Sequence, residues 1–164
     1  MVAIQQVIVP VDFNKHSDTL AEFALSFAHK WDAQLTFIHV MKQLPNYKDY
    51  DSHILSKLEI NILIHAQKKM FDFMGKIKSC GRDCAGEVLT GVAVDAIIAY
   101  AQDKAADLII ISTHGSQGIK KVLLGSVADR VIKGAPCPTL VFNPYMGERE
   151  NETCSPMSTC IQAV

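Results

Sequence analysis

The sequence predicts an α/β domain: a single doubly wound, five-stranded parallel sheet of order 3-2-1-4-5 with helices on both faces. Three observations lead there. Short β-branched runs and segments with apolar residues at helical spacing alternate along the chain from Gln6 to Phe142. The strand candidates are apolar throughout, as strands buried on both faces must be. Crossovers between such strands are right-handed, and the simplest doubly wound arrangement sets the first and fourth strands side by side where the winding reverses.

The first strand is expected at Gln6–Val11, with Pro10 near its end, where a missing ladder N–H matters least. A loop from Asp12 to Ser17 follows, with Ser17 or Asn14 as N-cap of a helix whose core stripe is Leu20, Phe23, Ala24, Phe27, Ala28 and Trp31. Gln34–Met41 reads as the second strand. Pro45 to Tyr50 is a loop, and Asp51 or Ser52 opens a long helix reaching about Ser79, closed by Gly81. Its core face is Leu55, Leu58, Ile62, Ala66, Phe73 and Ile77, while Asn61-Ile62-Leu63-Ile64 is apolar nearly all round, which calls for deep burial or a partner surface. A third strand includes Glu87–Thr90, and Gly91 turns the chain into a helix over about 93–104, with Ile97, Ile98 and Ala101 inward. The fourth strand is Asp107–Ser112, the last helix Ser126–Lys133, and the fifth strand Pro138–Phe142. Residues 1–144 thus form one domain, and the polar, Ser/Thr/Cys-bearing stretch 145–164 reads as an appended tail.

Composition narrows the class of partner. A chain of 164 residues with 49% hydrophobic and 20% charged residues suits one ordinary globular core. A net charge of -1 offers no basic footprint for nucleic acid. The first residues, Met1 to Gln6, have neither the basic start nor the apolar run of a signal peptide, and no apolar stretch approaches the ~20 residues of a membrane span. Five cysteines at scattered spacings, with three residues between Cys80 and Cys84, fit reduced thiols and a cytoplasmic location.

The stretch that carries chemistry is the fourth strand together with the loop after it. Ser112-Thr113-His114-Gly115-Ser116-Gln117-Gly118 leaves the strand, and Gly125-Ser126 precede the last helix. A strand that delivers a glycine loop to a helix N-terminus presents backbone N–H groups and the positive end of the helix dipole to an anion such as phosphate. The predicted topology sets this loop beside Pro10-Val11-Asp12, at the switch point where open sheets bind ligands. Other phosphate sites do not fit: the loop after the first strand contains no glycine, so there is no G-x-G-x-x-G, and G-x-x-x-x-G-K-[ST] is absent. Nor is there an aspartate at the end of the third strand, Leu89-Thr90-Gly91, as a phosphate-accepting receiver would carry. Singly, Gly115 reads as a turn residue, Gly125-Ser126 as a helix cap and Asp12 as a turn or cap residue. His114, Lys120 and Lys121 read as solvated, and His39 as a core histidine whose polar atoms are satisfied.

Taken together, Val9-Pro10-Val11-Asp12-Phe13, His39-Val40, Gly91, and Ser112-Thr113-His114-Gly115 followed nine residues later by Gly125-Ser126 resemble the universal stress protein family, over about residues 3 to 143. ATP-binding members carry G-x-x-G, nine residues, then G-[ST]; here Ser112 stands at the first glycine, adding a Cβ and a hydroxyl beside the ribose. Ala93 stands where the family often has proline. The resemblance implies an adenine pocket from Pro10, Val11, Asp12 and Val40, with Ile111 and Ser112 along the ribose. It implies that Gly115, Gly125, Ser126 and Val127 cradle the phosphates and that Gly91 closes the rim. The implied ligand is ATP, ADP or AMP, with Mg2+ or Mn2+ shared through phosphate oxygens rather than held by a dedicated protein site. It also implies a homodimer through strand Thr139–Phe142 and a stress-response role through a protein partner.

Three functions stay open at this point: a nucleotide-dependent regulatory module, a slow ATP hydrolase, and an interaction protein of the same fold that binds no nucleotide. The first is favoured over the enzyme, because no carboxylate or histidine in the loop pairs with a base or metal, and no catalytic residue is assigned.

Overall fold

The computed structural model describes residues 3–42, 52–78, 84–113 and 124–145. Among them the chain forms β1 (Gln6–Pro10), α1 (Ser17–Trp31), β2 (Gln34–Met41), α2 (Ser52–Lys78), β3 (Cys84–Thr90), α3 (Ala93–Asp103), β4 (Leu108–Ser112), α4 (Ser126–Gly134) and β5 (Thr139–Phe142). The strands make one sheet of order β3-β2-β1-β4-β5, and every neighbouring pair is parallel. This is the expected doubly wound order. Each element lies within a few residues of its predicted bounds, the largest change being β3, which starts at Cys84.

Strand alternation divides the core in two. Val7, Val9, Val11, Leu35, Phe37, Leu108 and Ile110 pack with Leu20 and Ala24 of α1 and with Met70, Phe73 and Met74 of α2. Ile8, Ile38, Ile109 and Ile111 pack on the other face with Val94 and Ile97 of α3 and Ala128 and Val131 of α4. Both faces of the central strands are dry, which is why their sequences show no polar alternation. Complete burial of a side chain such as Phe37 or Ile109 contributes about 1.5–3 kcal/mol.

Three local expectations are corrected. His16, not Ser17 or Asn14, occupies the N-cap of α1, and it makes no side-chain cap bond. Ser17 is the first helical residue; it is buried, and its hydroxyl turns back to Asp12. Trp31 leaves the predicted core stripe: it is 51% exposed at the last position of α1, stacked on Phe27 at 6.1 Å. In α2, Leu58 is exposed rather than inward. The reason is length. At 27 residues α2 is roughly 40 Å long, whereas the seven residues of β3 span about 23 Å, so the first half of the helix runs past the carboxyl edge of the sheet. Among the described side chains of α2, the buried ones, Ala66, Met70, Phe73, Met74 and Ile77, all fall in its second half. Ile64, at 57% exposure, excludes deep burial for the 61–64 segment. The expected Pro45–Tyr50 loop, the Asp51 cap, Gly81 and the tail beyond Tyr145 lie outside the described residues.

No helix among the described residues is long and apolar enough to cross a membrane. Neither Cys84 nor Cys137 is in a disulfide; burial, then the charge of Asp107, pushes the Cys137 thiol above its ordinary value.

Asp107 ties the segment entering β4 to the one entering β1. Its Oδ2 accepts the N–H groups of Gln5 and Gln6 at 2.8 and 2.9 Å, and its own N–H donates to the Gln6 carbonyl at 2.9 Å. The two backbone donors hold the carboxyl below the usual carboxylate range. The folded state therefore favours the ionised form, so its contribution is complete above the ordinary carboxylate range and lost as pH falls through the depressed folded value. Asp107→Asn is expected to lower the thermal midpoint at pH 7, with the gap to wild type closing on acidification. A gap independent of pH in melting curves would contradict this origin.

Candidate functional site at the β1–β4 switch point

β1 and β4 are the central pair, and α-helical crossovers leave them toward opposite flanks of the sheet. They pair at Val7–Leu108 and Ile8–Ile109, although β1 runs on to Pro10 and β4 to Ser112. Toward their carboxyl ends the two strands part, each turning to its outer neighbour. Val11 N–H donates to the Ile38 carbonyl of β2 at 2.8 Å, and Thr113 N–H donates to the Phe142 carbonyl of β5 at 2.9 Å. The opening between them is the crevice that doubly wound sheets offer a ligand.

On the β1 side Pro10 is half-buried, Val11 buried and Asp12 half-buried. The Asp12 carboxylate organises its own loop. Oδ1 accepts from the Asn14 N–H at 3.3 Å and the Ser17 hydroxyl at 3.4 Å, and Oδ2 accepts from the Asn14 amide at 3.1 Å. A carboxylate has about four acceptor positions, so these three bonds leave capacity for one more donor. Phe13, immediately after it, sits at φ 57, a left-handed conformation unusual for a bulky residue. Val40 lies beside this turn on β2, half-buried at the edge of the α3/α4 core. Gly91 ends β3 at φ 136, where a side chain is strained, and donates its N–H to the Met41 carbonyl at 3.0 Å.

On the β4 side Ile111 belongs to the core, 4% exposed, so what it can offer a ligand is backbone. Ser112 is half-buried at the strand end. Thr113 is buried and joins three elements: besides its bond to Phe142, its carbonyl accepts the Gly125 N–H at 2.7 Å. Gly125 caps α4 without a side-chain bond, at φ -68, so its backbone conformation suits any residue. What demands glycine is space: a Cβ there would lie 2.9 Å from the Thr113 carbonyl oxygen. Ser126 is the first helical residue and Val127 the second, both exposed. Their N–H groups belong to the first turn of α4 and lack helical acceptors, while the N–H of Gly125 is already committed. Of the predicted phosphate residues, Gly125, Ser126 and Val127 thus gather at one helix N-terminus, and Gly115, with His114, Lys120 and Lys121, falls outside the described residues.

Sequence reasoning took Ser17 or Asn14 for a helix cap and Thr113 for a loop residue, and missed the bonds of the first two to Asp12 and of Thr113 to Phe142 and Gly125. A faint signal existed only near Asp12, where Asn14 and Ser17 stand two and five positions on, within reach of its carboxylate in an Asx-type turn. Among the described residues no three His, Cys, Asp or Glu side chains gather as a metal site.

The universal stress protein family profile matches residues 3–143. The chain belongs to this family. It is 34% identical to universal stress protein MJ0531 of Methanocaldococcus jannaschii over 144 residues, covering 84% of this chain and 81% of that one. Its fold is similar to that of a universal stress protein in complex with cAMP, with TM-score 0.63 and 23% identity over 87% of this chain and 99% of the other. It is also similar to the universal stress protein from Archaeoglobus fulgidus in complex with dAMP, with TM-score 0.60 and 20% identity over 85% and 98% of the two chains.

Gly125→Ala is expected to destabilise by about 1–3 kcal/mol, the range for overpacking against a fixed backbone. Gly75→Ala serves as the contrast: it lies in α2 with nothing within 4 Å of a new Cβ and should stabilise by about 0.5–1 kcal/mol. Urea denaturation of both variants checks the pair, and equal effects would contradict the steric reading.

Proposed function

We propose that this universal stress protein binds an adenine nucleotide (ATP, ADP or AMP) in the crevice between the carboxyl ends of β1 and β4. In this reading it serves as a regulatory module in stress response, in the cytoplasm, through dimerisation and a protein partner. The observation that carries the reading is the parting of β1 from β4 with Gly125 pressed onto the Thr113 carbonyl, which holds the α4 N-terminus at the mouth of the crevice. The two relatives crystallised with cAMP and with dAMP support it. Those ligands share the adenine ring and one phosphorus, but differ at the sugar 2′ position and in the phosphate, a cyclic diester in one and a monoester in the other, so adenine is the element common to both.

The roles follow from chemistry. Asp12 retains acceptor capacity for the exocyclic amine, with Pro10, Val11 and Val40 walling the ring and Gly91 at the rim. Ile111 and Ser112 flank the ribose. The first-turn N–H groups at Ser126 and Val127, together with Gly115, take phosphate. Mg2+ or Mn2+ would be carried by phosphate oxygens, where it neutralises charge. Such a site is backbone and hydroxyl, suited to binding and poorly equipped to activate water. Residues 1–144 carry this function, with 145–164 as an appended tail.

Calorimetric titration with AMP, dAMP and ATP, paired with a phosphate-release assay, tests the reading. Saturable binding is expected, weakened about tenfold or more in Asp12→Ala, as for a lost charged hydrogen bond. Absence of binding at millimolar nucleotide would favour the pure interaction protein instead. Turnover above background, abolished by Ser126→Ala, would favour the hydrolase.

Self-association is the second part. β5 is an edge strand of four residues, Val141 is 39% exposed, and no charge along it discourages pairing. Sedimentation should return a dimeric mass at micromolar concentration, and Val141→Lys should shift it toward monomer without changing nucleotide affinity. A monomeric wild type would refute the dimer.

A further inference from the structure

The sequence makes His39 a satisfied core residue, yet its contacts fall on both residues that flank Asp12. The β1–β2 register ends at Pro10–Ile38. One residue on, the Val11 carbonyl meets His39 Nδ1 at 2.8 Å, so a side chain holds β1 where the ladder stops. The His39 ring also lies against Phe13, with centroids 4.4 Å apart and planes at 34°. We infer that His39 is a positioning residue that sets the Val11-Asp12-Phe13 turn and, through it, the nucleotide affinity of the crevice. The second half of this inference rests on the nucleotide reading above.

The physical need is clear from the backbone. Phe13 at φ 57 carries a conformational cost that persists only where surrounding structure over-determines it. Its ring is held on one side by His39 and on another by the edge of Phe73 at 5.8 Å. Phe73 is itself buried against Phe37 at 5.3 Å, so the strained residue is wedged into the α1/α2 core. The left-handed step at Phe13 lets the Asn14 N–H and amide and the Ser17 hydroxyl come back to the Asp12 carboxylate. His39 therefore fixes Val11 by a hydrogen bond and Phe13 by its ring, leaving Asp12 between two anchored neighbours. By strand alternation His39 shares the Phe37 face, opposite Val40, so it acts through the turn and not by touching a nucleotide on the Val40 side.

A carbonyl only accepts, so Nδ1 must carry the ring proton. This gives a readout independent of any nucleotide. Long-range 1H–15N correlation on the full chain above pH 8 should place the His39 proton on Nδ1. Two substitutions then separate the anchors. His39→Asn keeps an N–H donor at the Nδ1 position and removes the ring, whereas His39→Phe keeps the ring and removes the donor. His39→Phe should shift the Asn14 and Ser17 amide signals and weaken dAMP binding ~tenfold, the effect of about one hydrogen bond. His39→Asn should restore most of that affinity, with both variants still folded at the titration temperature. A proton on Nε2, or His39→Phe with unshifted Asn14 and Ser17 amides, overturns the inference. If wild type binds no nucleotide, the nucleotide reading fails, while the ring proton and the amide signals still decide the turn.

Discussion

Everything at the carboxyl end of this sheet depends on how little β1 and β4 pair. Two residue pairs, Val7–Leu108 and Ile8–Ile109, join the halves of the sheet in register, and beyond them Val11 bonds outward to Ile38 and Thr113 outward to Phe142. Had the ladder continued to Pro10 and Ser112, the crevice would be closed by backbone hydrogen bonds. The parting exposes strand-end groups that must be satisfied some other way. The structure meets that demand with three local devices: the Ile38 carbonyl and His39 ring on Val11, the Asp12 carboxylate on its own loop, and the Phe142–Thr113–Gly125 chain on the other bank. Each device fixes a residue that a ligand in the crevice would meet.

The two banks are built from different materials. On the β1 side side-chain groups set the geometry: a carboxylate, an imidazole and a strained aromatic residue wedged into the core. On the β4 side the backbone does so, through Thr113 and the absent Cβ of Gly125. A base can be distinguished by directed side-chain acceptors, whereas a phosphate needs only a concentration of N–H groups and a favourable dipole. The asymmetry of materials is the one that the proposed nucleotide would require.

The architecture was legible in the sequence because the strands are dry on both faces; runs such as Leu108–Ile111 admit no other placement in an alternating β/α chain. The candidate site was legible where it depends on residue type just after a strand or at a helix start, as at Asp12 and at Gly125 and Ser126. It was not legible where it depends on what lies across space. Nothing along the chain signals that Thr113 will bridge Phe142 and Gly125, or that His39 will reach back to Val11, because those contacts join residues 12 to 29 positions apart. Periodicity also misjudged Leu58 and Trp31, since a helical stripe records which face is apolar and not how far the sheet beneath it extends.

That last failure bears on how the molecule divides its surfaces. The half of α2 that overruns the sheet carries Leu58, Ile60 and Ile64 into solvent at 46–57% exposure, away from the β5 edge on the far side of the sheet. A helix sized only to cover β3 would need about 15 residues at 1.5 Å each, so Leu58, Ile60 and Ile64 contribute little to the core. Their apolar character is therefore not explained by the stability of this domain. The β1–β4 crevice lies at the same carboxyl edge from which α2 projects, so an event in the crevice and a contact on this helix would share one end of the molecule.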